Sequence, residues 1–172
     1  MRAFVAIFLF FQIHTAVACD CSRIEDLIET QKESHSYYEL IFIGELIKSN
    51  EDGSYEFKII EFFKGKQPDS TVMGKYQTSC SAFPDMTERI WLVYANPDEN
   101  GIIDINSCGL SRSFEAPFLM NEKATVPPPP EWNNDDLTLS MVKHYQLMTK
   151  YKVKALIILR DEIEQLRKWR NE

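Results

Sequence analysis

Tyr38-Glu-Leu-Ile-Phe-Ile-Gly-Glu-Leu-Ile47, then Glu51-Asp-Gly53, then Tyr55-Glu-Phe-Lys-Ile-Ile-Glu-Phe-Phe63 is the stretch that decides the fold class. Both long runs are dense in β-branched and aromatic side chains, which suit a pleated surface, and the acidic, glycine-ended link between them reads as a turn. In the second run Tyr55, Phe57, Ile59 and Phe63 alternate with Glu56 and Lys58, the pattern of a strand buried on one face. Lys64-Gly65-Lys66-Gln67-Pro68 closes this hairpin. Working outward, Ser70 to Tyr76 reads as a third strand and Arg89-Ile-Trp-Leu-Val-Tyr-Ala95 as a fourth. Beyond a turn from Asn96 to Gly101, Ile102-Ile-Asp-Ile-Asn106 reads as a fifth. Five strands at short spacing predict a mainly β protein built on a small closed barrel.

Helices flank the barrel. Ser22 to Glu33 carries Ile24, Leu27 and Ile28 at helical spacing and predicts a short helix. After Ser113 the character changes: residues 114–134 form a linker whose Pro127 to Pro130 are polyproline and cannot join a sheet. The C-terminal unit, 135–172, opens on the capping oxygens of Asn133-Asn-Asp-Asp136 and reads as one long helix from about Leu137 to Arg170. Met141, Tyr145, Met148, Ala155, Leu159, Ile163 and Leu166 approximate an apolar stripe, expected to pack on the barrel or on a second copy of the helix. Lys143, Lys150, Lys152 and Lys154 point toward a membrane surface, and Asp161, Glu162 and Glu164 point away from it.

At the other end, Val5 to Ile13 is apolar, Arg2 is basic, and Ala16-Val17-Ala18 supplies small residues for cleavage, so 1–18 reads as a signal peptide. The expected mature chain starts at Cys19 and is secreted, with no later run long and apolar enough to span a membrane. In an oxidising compartment Cys19, Cys21, Cys80 and Cys108 should form disulfides. Four cysteines allow three connectivities; a Cys19–Cys21 bridge would close a tiny strained loop, and the two long-range patterns stay open. Either of these fastens the extreme N-terminus to the middle of the domain.

With Arg2 of the leader taken from the 19 basic residues, the expected mature chain carries 18 basic and 26 acidic residues, a net charge of −8, which counts against nucleic acid or an anionic membrane as a partner. No catalytic constellation is present: there is no Gly-x-Ser-x-Gly, no phosphate-binding glycine loop and no His-Glu-x-x-His. His35 and His144 fall in different elements without metal-ligand spacing, and Asp135-Asp136 fits capping better than acid–base chemistry. The chain reads as a non-enzyme that needs no cofactor.

Several of these features occur together in one known family. Cys-x-Cys at the mature N-terminus, Tyr55-x-Phe-x-Ile-Ile-Glu-Phe-Phe-Lys-Gly65, a cysteine before Trp91-Leu-Val-Tyr-Ala95, and the Cys108-x-x-Ser-Arg112 close resemble the N-terminal domain of the tissue inhibitors of metalloproteinases (TIMPs). The resemblance spans Cys19 to about Ser113 and is to reduced, netrin-like versions with four cysteines. It implies a five-stranded OB-fold barrel and the pairs Cys19–Cys80 and Cys21–Cys108. It also implies inhibition of a zinc metalloprotease, the amine and carbonyl of Cys19 chelating the zinc of the partner enzyme. Asp20 would then enter the enzyme's specificity pocket, with Cys21, Thr78 and Ser79 alongside. Three features depart from the family: Asp20 stands where a small hydroxyl residue is usual, one disulfide of the domain is missing, and a proline stretch and helix replace the C-terminal subdomain.

Two other readings compete. Ala16-Val17-Ala18-Cys19 resembles a degenerate lipobox, which would anchor a binding module through a lipid on Cys19 but leave one of three remaining cysteines unpaired. Alternatively Tyr37, Tyr38, Phe62 and Phe63 would form an aromatic ligand face on a non-inhibitory barrel.

Overall fold

In a computed structural model, which describes residues 19–66, 70–119 and 137–172, the hairpin is formed by β1 (Leu40–Ser49) and β2 (Ser54–Lys64). Gly53 at the turn has a φ of 81°, a left-handed conformation that a residue with a Cβ adopts only at a cost. The Asp52 carboxylate accepts from the Ser54 amide at 3.0 Å and closes the turn. The remaining strands are β3 (Thr71–Lys75), β4 (Ile90–Ala95) and β5 (Arg112–Ser113), and the helices are α1 (Leu27–Tyr37) and α2 (Leu137–Arg170). The expected leader, the end of the hairpin at 67–69, the polyproline run and the capping residues 133–136 lie outside the described residues.

The five strands form one antiparallel sheet in the order β3-β2-β1-β4-β5. It curves like a barrel but is not closed, which corrects the expected closed barrel. The fifth strand also differs from expectation. Residues 102–106 form no named strand, because their hydrogen bonds are divided between two partners. Ile103 exchanges bonds with Met73 and Lys75, each at 2.9 Å, whereas the Ile105 carbonyl accepts from Ala82 at 2.7 Å. The strand beside β4 is the two-residue β5, drawn from the Cys108-x-x-Ser-Arg112 close.

Tyr55 holds the 102–106 segment against the sheet. Its ring lies over Gly74, its cross-strand partner, where an added Cβ would sit 1.9 Å from a ring carbon. Its hydroxyl accepts from the Ile105 amide at 3.2 Å and lies 3.3 Å from the Ile103 carbonyl, to which it donates. Only glycine at 74 leaves room for that crossing.

The sheet carries a core on each face. One core contains Leu40, Phe42, Leu46, Tyr55, Phe57, Val72, Trp91, Val93, Ile103 and Ile105. The other contains Ile41, Ile43, Phe63, Leu92, Tyr94 and Leu110, covered by Leu159, Ile163 and Leu166 of α2. β1 and β4 are therefore buried on both faces, which is why they read as unbroken apolar runs. β2 alternates only as far as Ile59. The register shift between its Ile59 and Glu61 pairings leaves Phe62 on the first core and Phe63 in the second, which corrects the expected placing of Phe63 on the face of Tyr55. Of the two packings expected for α2, the structure has its C-terminal half on the sheet.

A buried polar network sits inside that second interface. The Glu162 carboxylate accepts from Arg112 at 2.6 Å, from Gln31 at 3.1 Å and from the Tyr94 hydroxyl at 2.6 Å, joining α2 to β5, α1 and β4. Arg112 and Glu162 are almost wholly shielded from water. Burial first, and then the Glu162 charge, push the Tyr94 phenol far above its ordinary value, so it stays a donor. Toward the C-terminus Glu61 of β2 accepts from Arg167 at 2.6 Å and from Arg170 at 3.2 Å.

α1 begins and ends later than its apolar spacing predicts. Asp26 is the N-cap, its carboxylate accepting from the amides of Ile28 at 2.9 Å and Glu29 at 3.1 Å. An N-cap oxygen offsets orphan amide donors at a helix start, so the cap outweighs the apolar residue Ile24 upstream. The helix consequently runs to Tyr37, and the first strand opens at Leu40 rather than at Tyr38. The proposed aromatic face does not form either. Tyr37 is exposed, but Phe63 is buried in the second core and Phe62 packs against the first.

Candidate functional site

Cys19 and Cys21 lie two residues apart, and their sulfurs gather with that of Cys108 within 4.8 Å of one another. Cys19 is bridged to Cys80 and Cys21 to Cys108, each with a Cα–Cα distance of 5.1 Å. The first bridge brings the Cys19-Asp20 step beside Thr78-Ser79, the two residues before Cys80. Asp20, Thr78 and Ser79 are all exposed, while the four cysteines are half-buried. The outcome is a narrow edge of two short segments, solvent-facing on its outside and covalently fastened from beneath.

The two bridges pack on each other, with Cys19 Sγ 3.3 Å from Cys108 Sγ. Among the described residues this packing gives the one cluster of three possible metal donors, the sulfurs of Cys19, Cys21 and Cys108. All are engaged in disulfides and none can supply a thiolate, so the trio fits no metal. His35 and His144 stay apart. His35 stacks at 4.7 Å from Trp169, and burial, then Lys64, lower its pKa; His144 neighbours Tyr145 on α2.

The loop carrying Thr78 and Ser79 is shaped by residues that the sequence does not single out. Ser81 Oγ accepts from the Thr78 amide at 2.9 Å and donates to Asp104 Oδ2 at 2.7 Å. Thr78 Oγ1 accepts from the Cys80 amide at 3.2 Å, and the Cys80 carbonyl accepts from Ser107 through both amide and hydroxyl, each at 2.8 Å. The Cys108 amide donates to Asn106 Oδ1 at 2.8 Å. Segment 102–108 is thus the platform on which both bridges rest. Burial raises the Asp104 pKa, with the Ser81 bond opposing it, and Asp104 Oδ1 is buried without a hydrogen-bond partner. Thr78 and Ser81 do stand three apart in the sequence, a spacing that side-chain-to-backbone turns use. Asp104 carries no such signal.

Behind the edge, a cleft of about 660 Å³ opens between the N-terminal segment, α1 and the 106–110 turn. Asp20, Arg23, Thr30, Glu33, Tyr37 and Tyr38 are among its lining residues. Among the described residues no helix is long and apolar enough to cross a membrane. Comparison with protein-family models gives no match, and neither does comparison with curated proteins.

Proposed function

We propose that the chain is an exported, TIMP-like inhibitor of zinc metalloproteases that acts through Cys19 on an OB-type barrel. The observation that carries this reading is the Cys19–Cys80 bridge, which sets an exposed Cys19-Asp20 step beside exposed Thr78-Ser79. The strand order and the parallel bridge between Gly74 and Ile103, which draws residues 102–106 toward the open side of the sheet, support the OB assignment.

Cleavage after Ala18 frees the α-amino group of Cys19. With its own carbonyl oxygen, that amine presents a two-atom chelate to the zinc of the partner enzyme, in the position where a water would be activated. The amine binds only when deprotonated, and α-amino groups titrate at about pH 7.7–8.0. Inhibition should therefore strengthen as pH rises toward that range. Because both bridges hold the edge in place before contact, little ordering entropy is lost on association. Asp20 is the specificity element: a carboxylate entering an apolar pocket is strongly disfavoured, so target enzymes need a basic or polar pocket.

The test is inhibition of a panel of zinc endopeptidases by protein whose N-terminal residue is shown by mass to be unmodified Cys19. Inhibition should vanish when one alanine is added before Cys19 or when the amine is acetylated, and Asp20→Ser should widen the range of enzymes inhibited. If protein with a free Cys19 and both bridges intact inhibits none, the reading fails and a non-inhibitory binding module takes its place. A lipid found on Cys19 would likewise remove the chelating amine.

A further inference from the structure

The two halves of α2 occupy different surroundings. Ala155, Leu159, Glu162, Ile163 and Leu166 are buried against the sheet. Ahead of Ala155 no described side chain of the helix is buried. Val142, Tyr145 and Val153 keep 47%, 62% and 52% exposure, and Leu156 at the junction keeps 36%. With Thr149, these residues fall at i, i+3, i+7, i+11 and i+14, a single stripe along the helix. At 3.6 residues per turn this stripe is rotated roughly a quarter-turn from the docked one, so it is a second apolar face and not a continuation of the first.

Charge divides in the same place. Between Leu137 and Leu159 the helix contains Lys143, Lys150, Lys152 and Lys154 and no Asp or Glu, although the chain carries −7 overall. Lys143 and Lys150 flank the exposed stripe on one side and Lys152 on the other, and all three are exposed. The acidic residues that weigh against an anionic partner in the sequence belong to the docked half. Glu162 is buried on Arg112, and Asp161 is paired with Arg160 at 2.6 Å. Screening limits charge interactions to about 10 Å, so a surface meeting residues 143–154 encounters chiefly lysines rather than the chain's net charge.

We propose that the first half of α2 is an anchor for an anionic bilayer surface. It lies in the headgroup layer with Val142, Tyr145, Val153 and Leu156 toward the acyl chains, and the flanking lysines reach lipid phosphates on both sides. A second copy fits this face poorly. Pairing two such helices would set lysines near lysines, with no carboxylate between 137 and 159 to separate them. The anchor is independent of whether Cys19 meets a protease.

The experiment is sedimentation with vesicles of phosphatidylcholine alone and of an equal mixture with phosphatidylserine, using protein expressed from the full chain and processed by the cell. Binding is expected to the mixed vesicles and not to the neutral ones, and raised salt should release it. The triple substitution K143Q/K150Q/K152Q should weaken binding about 100-fold. Val153→Asp should also abolish it, with thermal melting of both variants unchanged. The proposal is overturned if mixed vesicles are not bound, if both vesicle types bind equally, or if binding by the unmodified protein is indifferent to salt. A salt-stable dimer in solution that Val153→Asp dissociates would assign the face to a second copy instead.

Discussion

The N-terminal segment is held on the sheet by two covalent bridges, whereas the C-terminal helix is held by burial of side chains. Cys19 and Cys21 reach Cys80 and Cys108 from a segment whose neighbouring side chains face water. Leu159, Ile163 and Leu166 are held because they are withdrawn from water into the core beneath them. Covalent fastening leaves the outer side of a segment available for contact, while fastening by burial consumes the face that does the holding. This is why the candidate recognition edge lies at the N-terminus, and why the docked half of α2 offers a partner so little.

The largest expected effects come from removing what holds the N-terminal end. The bridges join residues 61 and 87 positions apart, and in the chain-entropy model each contributes about 4 kcal/mol. Replacing all four cysteines by serine should move the guanidinium midpoint furthest of any change considered. Amide exchange in residues 19–26 should rise well before that of α2. Equal loosening of both ends would show that the two fastenings are not separable.

At the other end, Glu162→Gln leaves the Arg112 charge buried with its carboxylate partner gone, an arrangement that costs about 3–5 kcal/mol. The double substitution Arg112→Leu with Glu162→Leu should recover part of that loss in the same denaturation assay, the remainder being the Tyr94 and Gln31 donors that lose their acceptor. Leu159→Ala, which empties a fully buried site between α2 and the sheet, should cost about 2–5 kcal/mol, depending on how far the helix settles. Neither change should alter the disulfide map or protease inhibition.

Acid provides the finest distinction, because one carboxyl at each end is shifted in the opposite sense. Arg167 chiefly, with help from Arg170, holds the Glu61 carboxyl below its ordinary 4.5. Its contribution is therefore present above pH 4.5 and lost as pH falls through the lower folded value. The pair is partly exposed, so Glu61→Gln should cost no more than about 1 kcal/mol at neutral pH and nothing in strong acid. Asp104 under the N-terminal loop is raised by burial, so its ionised form costs the fold, and that cost fades as pH falls through the raised value. Asp104→Asn should be neutral or slightly stabilising at neutral pH and without effect in acid. Unfolding curves at both pH values for both variants separate the two signs.

Much of the sheet was legible because strand signals are local. β2 alternates as far as Ile59, the turn ends on the glycine it needs, and β1, β3 and β4 are rich in residues that suit a pleat. The continuous apolar runs of β1 and β4 also announce two covered faces, but not what covers them. Residues 102–106 misled for a definite reason: their period matches a strand, yet their partners belong to two different segments. At the candidate site the cysteines were identifiable by type, whereas Asp20, Thr78 and Ser79 were named only through the family resemblance. Ser81, Asp104 and Asn106, which shape the loops beneath them, are ordinary polar residues whose role depends on what folding places next to them.

From its sequence alone this chain is committed to four β-rich segments, a long C-terminal helix and four cysteines available for pairing, because propensity, turn chemistry and periodicity act over a few residues. The tertiary structure decided which cysteine meets which, that the sheet stays open with β5 at its edge, and that only the second half of α2 docks. These depend on contacts between residues far apart in the chain. Glu162 finds Arg112, Tyr94 and Gln31 only once two helices and two strands have been brought together, and no local pattern records that meeting.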